Sequence, residues 1–256
     1  MTSKSASSKG FTLVELAIVM VVIGLLIGGI LKGGEFITTS KVNRTIQDLK
    51  SYESSLMSYR EKYGALAGDD GNATARVPDC NIANNCTNGD GNGIIAAADS
   101  NGAGVNWRTR FATLPGTIPR EATQLWKHLS LANMITGVDP AANPASPEWG
   151  VTHPSSPFGG GYEMYYDGQT TVGANQNIIR LSQTGIFPGA WENLLSPPIA
   201  AMIDRKIDDG APNAGFIIMN YGSTVDRCKI NGPGATVVYN EDRSGKECTL
   251  FYAVPK

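Results

Sequence analysis

Phe11-Thr12-Leu13-Val14-Glu15-Leu16-Ala17-Ile18-Val19-Met20 opens an apolar run that continues to Leu31, with Glu15 as its one charge. At about 21 residues the run is long enough to cross a bilayer as a helix. The ten residues before it, MTSKSASSKG, are small and polar and include Lys4 and Lys9. A basic segment ahead of an apolar stretch also describes a secretory signal, but that stretch is shorter and ends at a small-x-small cleavage site. Gly28-Gly29-Ile30-Leu31-Lys32 is a poor match to such a site. The two lysines leave the leader in the cytoplasm and send the remainder outside. Glu15 is costly within an apolar span unless it is paired, so it marks a function. A polar residue merely tolerated near the membrane edge is the alternative.

The helical pattern outlasts the apolar run. No Pro or Gly occurs from Glu35 to Tyr63, and Val42, Ile46, Leu49, Leu56, Tyr59 and Tyr63 recur at helical spacing. Lys41, Arg44, Gln47, Lys50 and Glu53 fall on other faces, and Gly64 is a suitable stop. One helix from Phe11 to Tyr63 would be ~80 Å long, beyond what ordinary globular folds use. A single-span anchor with a coiled stalk is the other reading of the same pattern.

Lys9-Gly10-Phe11-Thr12-Leu13-Val14-Glu15-Leu16 closely resembles the processing motif of type IV prepilins and type II secretion pseudopilins. The resemblance covers roughly the first 30 residues, and Gly24 sits where family members carry a glycine. It implies cleavage by prepilin peptidase between Gly10 and Phe11 and methylation of the new N-terminal Phe11. It also implies that Glu15 neutralises the N-terminal amine of a neighbouring subunit during assembly. The family's usual helix-kinking proline near Lys32 is absent; Gly33-Gly34 follow and could loosen the helix there. The layout so implied is a leader at 1–10, a long helix at 11–63 with 11–31 in the membrane or filament core, and a globular head at 64–256. The fold class is α+β and pilin-like: a long N-terminal helix packed on a loop-rich head with an antiparallel β-sheet.

Composition agrees with export. A formal charge of −2 gives no basic surface for nucleic acid, and 30 Gly with 14 Pro signal many loops. Cys80/Cys86 and Cys228/Cys248 are spaced as two local disulfides in an oxidising compartment, with four buried thiols as the alternative. The second pair also resembles the disulfide-bounded C-terminal region of many type IV pilins. Zinc is not expected, since neither pair is CxxC and His128 and His153 lie far from both in sequence.

The head begins with a long region, Ala65 to about Thr117, that lacks periodicity. Within it, Asn88-Gly89-Asp90-Gly91-Asn92-Gly93 and Asp99 fit an EF-hand-type calcium template. Asn88, Asp90 and Asn92 take positions 1, 3 and 5, Gly93 the sharp turn, and Asp99 the close. A glycine-rich turn that uses Asn and Asp for positive φ is the competing reading. Helices are expected at Pro119–Ile135 and, capped by Ser196, from Pro197 to Gly210. Strands are expected at Tyr162–Tyr166, Asn177–Leu181, Phe216–Met219, Thr236–Tyr239 and Cys248–Val254, the last two as a hairpin. The stretch Tyr59–Asp69, together with Asn72-Ala73-Thr74, Asn88-Gly89-Asp90-Gly91 and Ile207-Asp208-Asp209-Gly210, is similar to a group of larger prepilin-like proteins.

These features predict a structural subunit of a type IV pilus (a fimbrium) or of a type II secretion pseudopilus-like filament. Its partners would be itself, other pilins, prepilin peptidase and, before assembly, the bacterial inner membrane. The filament would then be periplasmic or on the cell surface. No GxSxG, HExxH, P-loop or Cys/His nucleophile pairing supports an enzyme. A minor subunit at the tip that serves cell adhesion is the alternative. Trp107, Trp149, Tyr162, Tyr165, Tyr166 and Trp191 would supply stacking if three or more of them share an exposed concave patch.

Overall fold

The computed structural model describes residues 11–95, 121–144, 148–167, 176–183, 193–220, 227–231 and 236–254. Helix α1 spans Leu13–Tyr63, unbroken through Gly33-Gly34, so the expected loosening there is not observed. It ends at Gly64, whose φ of 67° and N–H bond to the Arg60 carbonyl (2.8 Å) make the left-handed stop. The chain divides into two compact units, Met1–Lys41 and Val42–Lys256, so the boundary falls within α1.

In the first unit α1 is apolar on every side from Leu16 to Ile30. Its best 18-residue window has a mean hydropathy of 2.7, none of it buried, which is long and apolar enough to cross a membrane. In the second unit α1 becomes amphipathic. Val42, Thr45, Leu49, Tyr52, Leu56, Tyr59 and Tyr63 form its buried face, with steps alternating between three and four residues.

That face packs on a four-stranded antiparallel sheet. The strands are β1 Gly161–Asp167, β2 Gln176–Ser182, β3 Ile217–Asn220 and β6 Thr249–Ala253, in the order β1-β2-β6-β3. Tyr162 donates from its hydroxyl to Asp48 of α1 (3.1 Å), and Tyr252 does the same to Glu53. Because alternate residues point to opposite faces, these two tyrosines fix which face meets the helix. The other face is also buried and holds the cross-strand ion pair Glu163–Arg180 at 2.9 Å.

Helix α2 is a single turn, Ala73–Arg76. Helix α3, Glu121–Leu131, is shorter than the expected Pro119–Ile135, whose first two residues lie outside the described residues. Its Trp126 meets Tyr52 edge-on at 5.2 Å. Helix α4, Pro197–Ile207, starts after Ser196 with Pro at its first turn, as expected.

The expected hairpin between the last two strands is overturned. Strand β5, Val237–Tyr239, pairs with β4, Lys229–Asn231, in a separate two-stranded sheet. Strand β6 instead lies between β2 and β3. Every residue of β6 is buried, which suits a central position, whereas the three-residue β4 carries no alternating apolar pattern. Both disulfides form, Cys80–Cys86 and Cys228–Cys248, the second joining the residue before β4 to the residue before β6.

Candidate functional site

The N-terminal segment presents its chemistry at the first turn of α1. Thr12 precedes the helix, and its carbonyl accepts the first helical bond from the Leu16 amide (3.2 Å). The Glu15 carboxylate accepts from both the amide and the hydroxyl of Thr12, each at 2.9 Å. The Glu15 amide donates back to the Thr12 hydroxyl at 3.2 Å. This is a reciprocal capping box, and it satisfies amides that the start of a helix leaves without partners. Thr-x-x-Glu before an apolar run is its signal, legible in Thr12-Leu13-Val14-Glu15. Phe11 is 86% exposed, and the apolar side chains that follow are exposed as well. Gly10 lies outside the described residues.

In the head, two neighbouring aspartates organise the turn after α1. Asp70 is fully buried. It accepts from the Tyr59 hydroxyl (2.9 Å), the Asn72 amide (2.8 Å) and the Arg76 guanidinium, which also reaches the last carbonyl of α1 at Tyr63. Asp69 accepts from the amides of Asn92 (2.9 Å) and Gly93 (2.8 Å). Burial pushes its carboxyl up to about 6, and the nearby Asp90 adds to the shift against the opposing amide bonds.

His128 ties the same segment to α3. Its Nδ1 accepts from the Gly68 amide (3.0 Å), so the proton sits on Nε2, which faces the Thr87 carbonyl at 2.8 Å. It is fully buried and stacks on Tyr59, and burial lowers its pKa. It therefore packs between α1 and α3 and holds the Gly68 and Thr87 backbone.

Of the four residues of the expected calcium loop, Asn88, Asp90 and Asn92 are described, and the Asn92 carboxamide donates to the Asp90 carboxylate at 2.8 Å. The Asn88 side-chain oxygen accepts from the Thr74 amide (2.9 Å), and that of Asn92 accepts from the Ile94 amide (2.8 Å). Asp99 lies outside the described residues. Asp90 converges with Asp69 and Glu121, their carboxylate oxygens all within 4.8 Å of one another. The Asp90 amide also donates to Glu121 (2.9 Å). A hard cation in this neighbourhood would take these three carboxylates. Sequence spacing gave no hint of Asp69 or Glu121, because they come from separate segments.

A second carboxylate group holds the α4–β3 connection. Asp204 is buried and accepts from the Tyr239 hydroxyl and the Gly210 amide, and burial raises its carboxyl to about 6. Asp208 accepts from the Ile217 amide (2.6 Å), and Asp209 closes its own turn on the Ala211 amide (2.8 Å). Asp69-Asp70 and Asp208-Asp209 thus each accept from backbone amides at turns. Of the aromatic candidates for stacking, Tyr162 and Tyr165 are in the core, Trp149 and Tyr166 are half-buried, and Trp107 and Trp191 lie outside the described residues.

Residues 5–31, which contain the capping box and the apolar run, match the prokaryotic N-terminal methylation motif. The chain carries the type IV prepilin signature. No curated protein and no solved structure matches the chain. The signature covers the N-terminal segment alone, and the layout behind it is α+β and pilin-like. It supports a type IV pilin- or pseudopilin-like subunit, processed by prepilin peptidase and assembled with other pilins. It points to a structural protein, and with the apolar helix it fits membrane anchoring before assembly.

Proposed function

We propose that this protein is a structural subunit of a type IV pilus or a type II secretion pseudopilus-like filament. Prepilin peptidase cuts after Gly10, Phe11 is methylated, and α1 drives polymerisation from the inner membrane into a periplasmic or cell-surface filament. The observation that carries the reading is the methylation motif at residues 5–31, merging into a helix whose membrane-length apolar stretch is wholly exposed. Such a surface needs lipid before assembly and other helices after it. Glu15 then supplies the charge that meets a neighbouring subunit's N-terminal amine.

The reading includes three working parts: leader 1–10, helix 11–63 and head 64–256. It extends to calcium at the loop beginning at Asn88, supported by the approach of Asp90 to Asp69 and Glu121. An adhesive tip subunit is the alternative reading, to which the buried Tyr162 and Tyr165 would contribute no stacking surface.

Filament assembly is tested by replacing Gly10 with Val and, separately, Glu15 with Gln, then shearing the cell surface and isolating filaments. Both variants should yield none. Normal filament yield from both would overturn the proposal.

A further inference from the structure

The sequence contains three Asn-x-Thr triplets: Asn43-Arg44-Thr45, Asn72-Ala73-Thr74 and Asn85-Cys86-Thr87. Such a triplet is an acceptor for an N-linked glycan when it lies on the surface of an exported chain. The fold separates them. Asn43 lies within α1, its side-chain oxygen accepts from Lys206, and Thr45 is fully buried. Asn85 is half-buried, its carbonyl accepts from Gln124, and the next residue is locked in the Cys80–Cys86 disulfide. Asn72 differs on every count. It and Thr74 are both exposed, and its carboxamide does not cap α2 or bond to any other described residue. The backbone around it is fixed nonetheless. Its amide donates to the buried Asp70, the Thr74 amide donates to Asn88, and Ala73 between them is fully buried.

We propose that Asn72 is an N-glycosylation site, with a lipid diphosphate-linked oligosaccharide as the donor. The Asn72 Nδ2 forms a bond to the anomeric carbon of the first sugar, and the bond from that carbon to the phosphate oxygen breaks. The lipid diphosphate leaves with the electron pair, and the transferase takes one Nδ2 proton. Thr74 supplies the hydroxyl that the transferase reads at the third position. The reaction takes place outside the cytoplasm, so the inference rests on the head being exported. A glycan at Asn72 would stand at the end of the head where α1 stops, over the turn fixed by Asp70.

The test is the mass of the peptide containing Asn72, from full-length protein purified from the envelope of its own cells. Wild type should carry a sugar mass on Asn72. Asn72→Gln and Thr74→Ala should lose it completely, Thr74→Ser should keep it, and Asn85→Gln should leave it unchanged. An unmodified Asn72 in wild type overturns the inference, as does a sugar mass that persists in Asn72→Gln. Mapping Cys80–Cys86 and Cys228–Cys248 in the same sample separates the premises. Intact disulfides with a bare Asn72 refute the glycan alone, whereas free thiols refute export.

Discussion

Thr12 and Glu15 cap the first turn of α1 through three hydrogen bonds, two into the Glu15 carboxylate and one back to the Thr12 hydroxyl. Glu15 therefore has work to do inside its own chain, besides the intersubunit pairing proposed for it. Thr12→Ala removes the hydroxyl from both of its bonds, and Glu15→Gln weakens what remains by removing the charge. In detergent micelles, amide exchange at residues 13–16 should speed up in both variants and stay unchanged beyond about residue 20. Unchanged protection at 13–16 in both would show that the box does not hold the helix start.

Acid should loosen the head. His128 and His153 are buried neutral; burial lowers the first and takes the second down to about 3. Both folded-state values lie below the unfolded value of about 6.5, so the unfolded chain binds more protons as pH falls below that. Stability from these groups is thus complete above about 6.5 and lost on acidification. Asp69 and Asp204, raised to about 6, act with the opposite sign: their contribution is present in acid and lost as pH rises through about 6. Going from pH 7 to pH 5, the melting temperature should fall less in His128→Gln than in wild type, and more in Asp204→Asn. Equal falls in all three proteins would contradict these assignments.

The two disulfides should differ in weight. Chain-entropy reasoning gives about 3 kcal/mol for a loop the size of Cys228–Cys248 and about 2 kcal/mol for the smaller Cys80–Cys86 ring. Replacing both cysteines of each pair by Ser should lower the melting temperature by ~6–12 °C and ~4–8 °C respectively. A reversed order would mean that the Cys80 loop anchors more of the head than its size implies.

Gly89 is a steric requirement rather than a flexible turn residue. A Cβ there would lie 2.4 Å from Asp69 Cα and from the Gly68 carbonyl oxygen. At Gly93, with φ of 84°, an added Cβ would meet nothing within 4 Å, so the cost there is backbone strain of about 1–2 kcal/mol. In thermal melts Gly89→Ala should be clearly the more damaging of the two. Equal melting temperatures would mean that the close approach of Gly89 to Asp69 is absent in solution.

The cation reading has its own readout. If calcium occupies the Asp69–Asp90–Glu121 group, a chelator should lower the melting temperature of wild type, and Asp90→Asn should remove that sensitivity. A wild-type melt indifferent to chelator would remove calcium from the account.

Much of the fold is legible in the sequence where the pattern is long and local. Helix α1 could be read because apolar spacing and the absence of Pro and Gly persist over many turns. Even so, Thr45 and Tyr52 complete its buried face, and neither stands out by residue type. Strands β1, β2, β3 and β6 fall within a residue or two of expectation, but their order does not follow from proximity. The pairing of β5 depends on Lys229-Ile230-Asn231, a strand too short to leave a period. The N-terminal site is legible because Gly10, Phe11, Thr12 and Glu15 are neighbours in sequence. The head's polar nodes are not, because Asp69 meets Glu121, and Gly68 meets His128, only after the chain has folded back on itself.

The central claim is that this chain is a prepilin-type subunit processed at its N-terminus. Its most direct test is mass spectrometry of the N-terminal peptide of the protein extracted from the envelope of its own cells. The mature chain should begin at Phe11 and carry one methyl group on that amine. A chain that keeps residues 1–10, or begins at any residue other than Phe11, would contradict it.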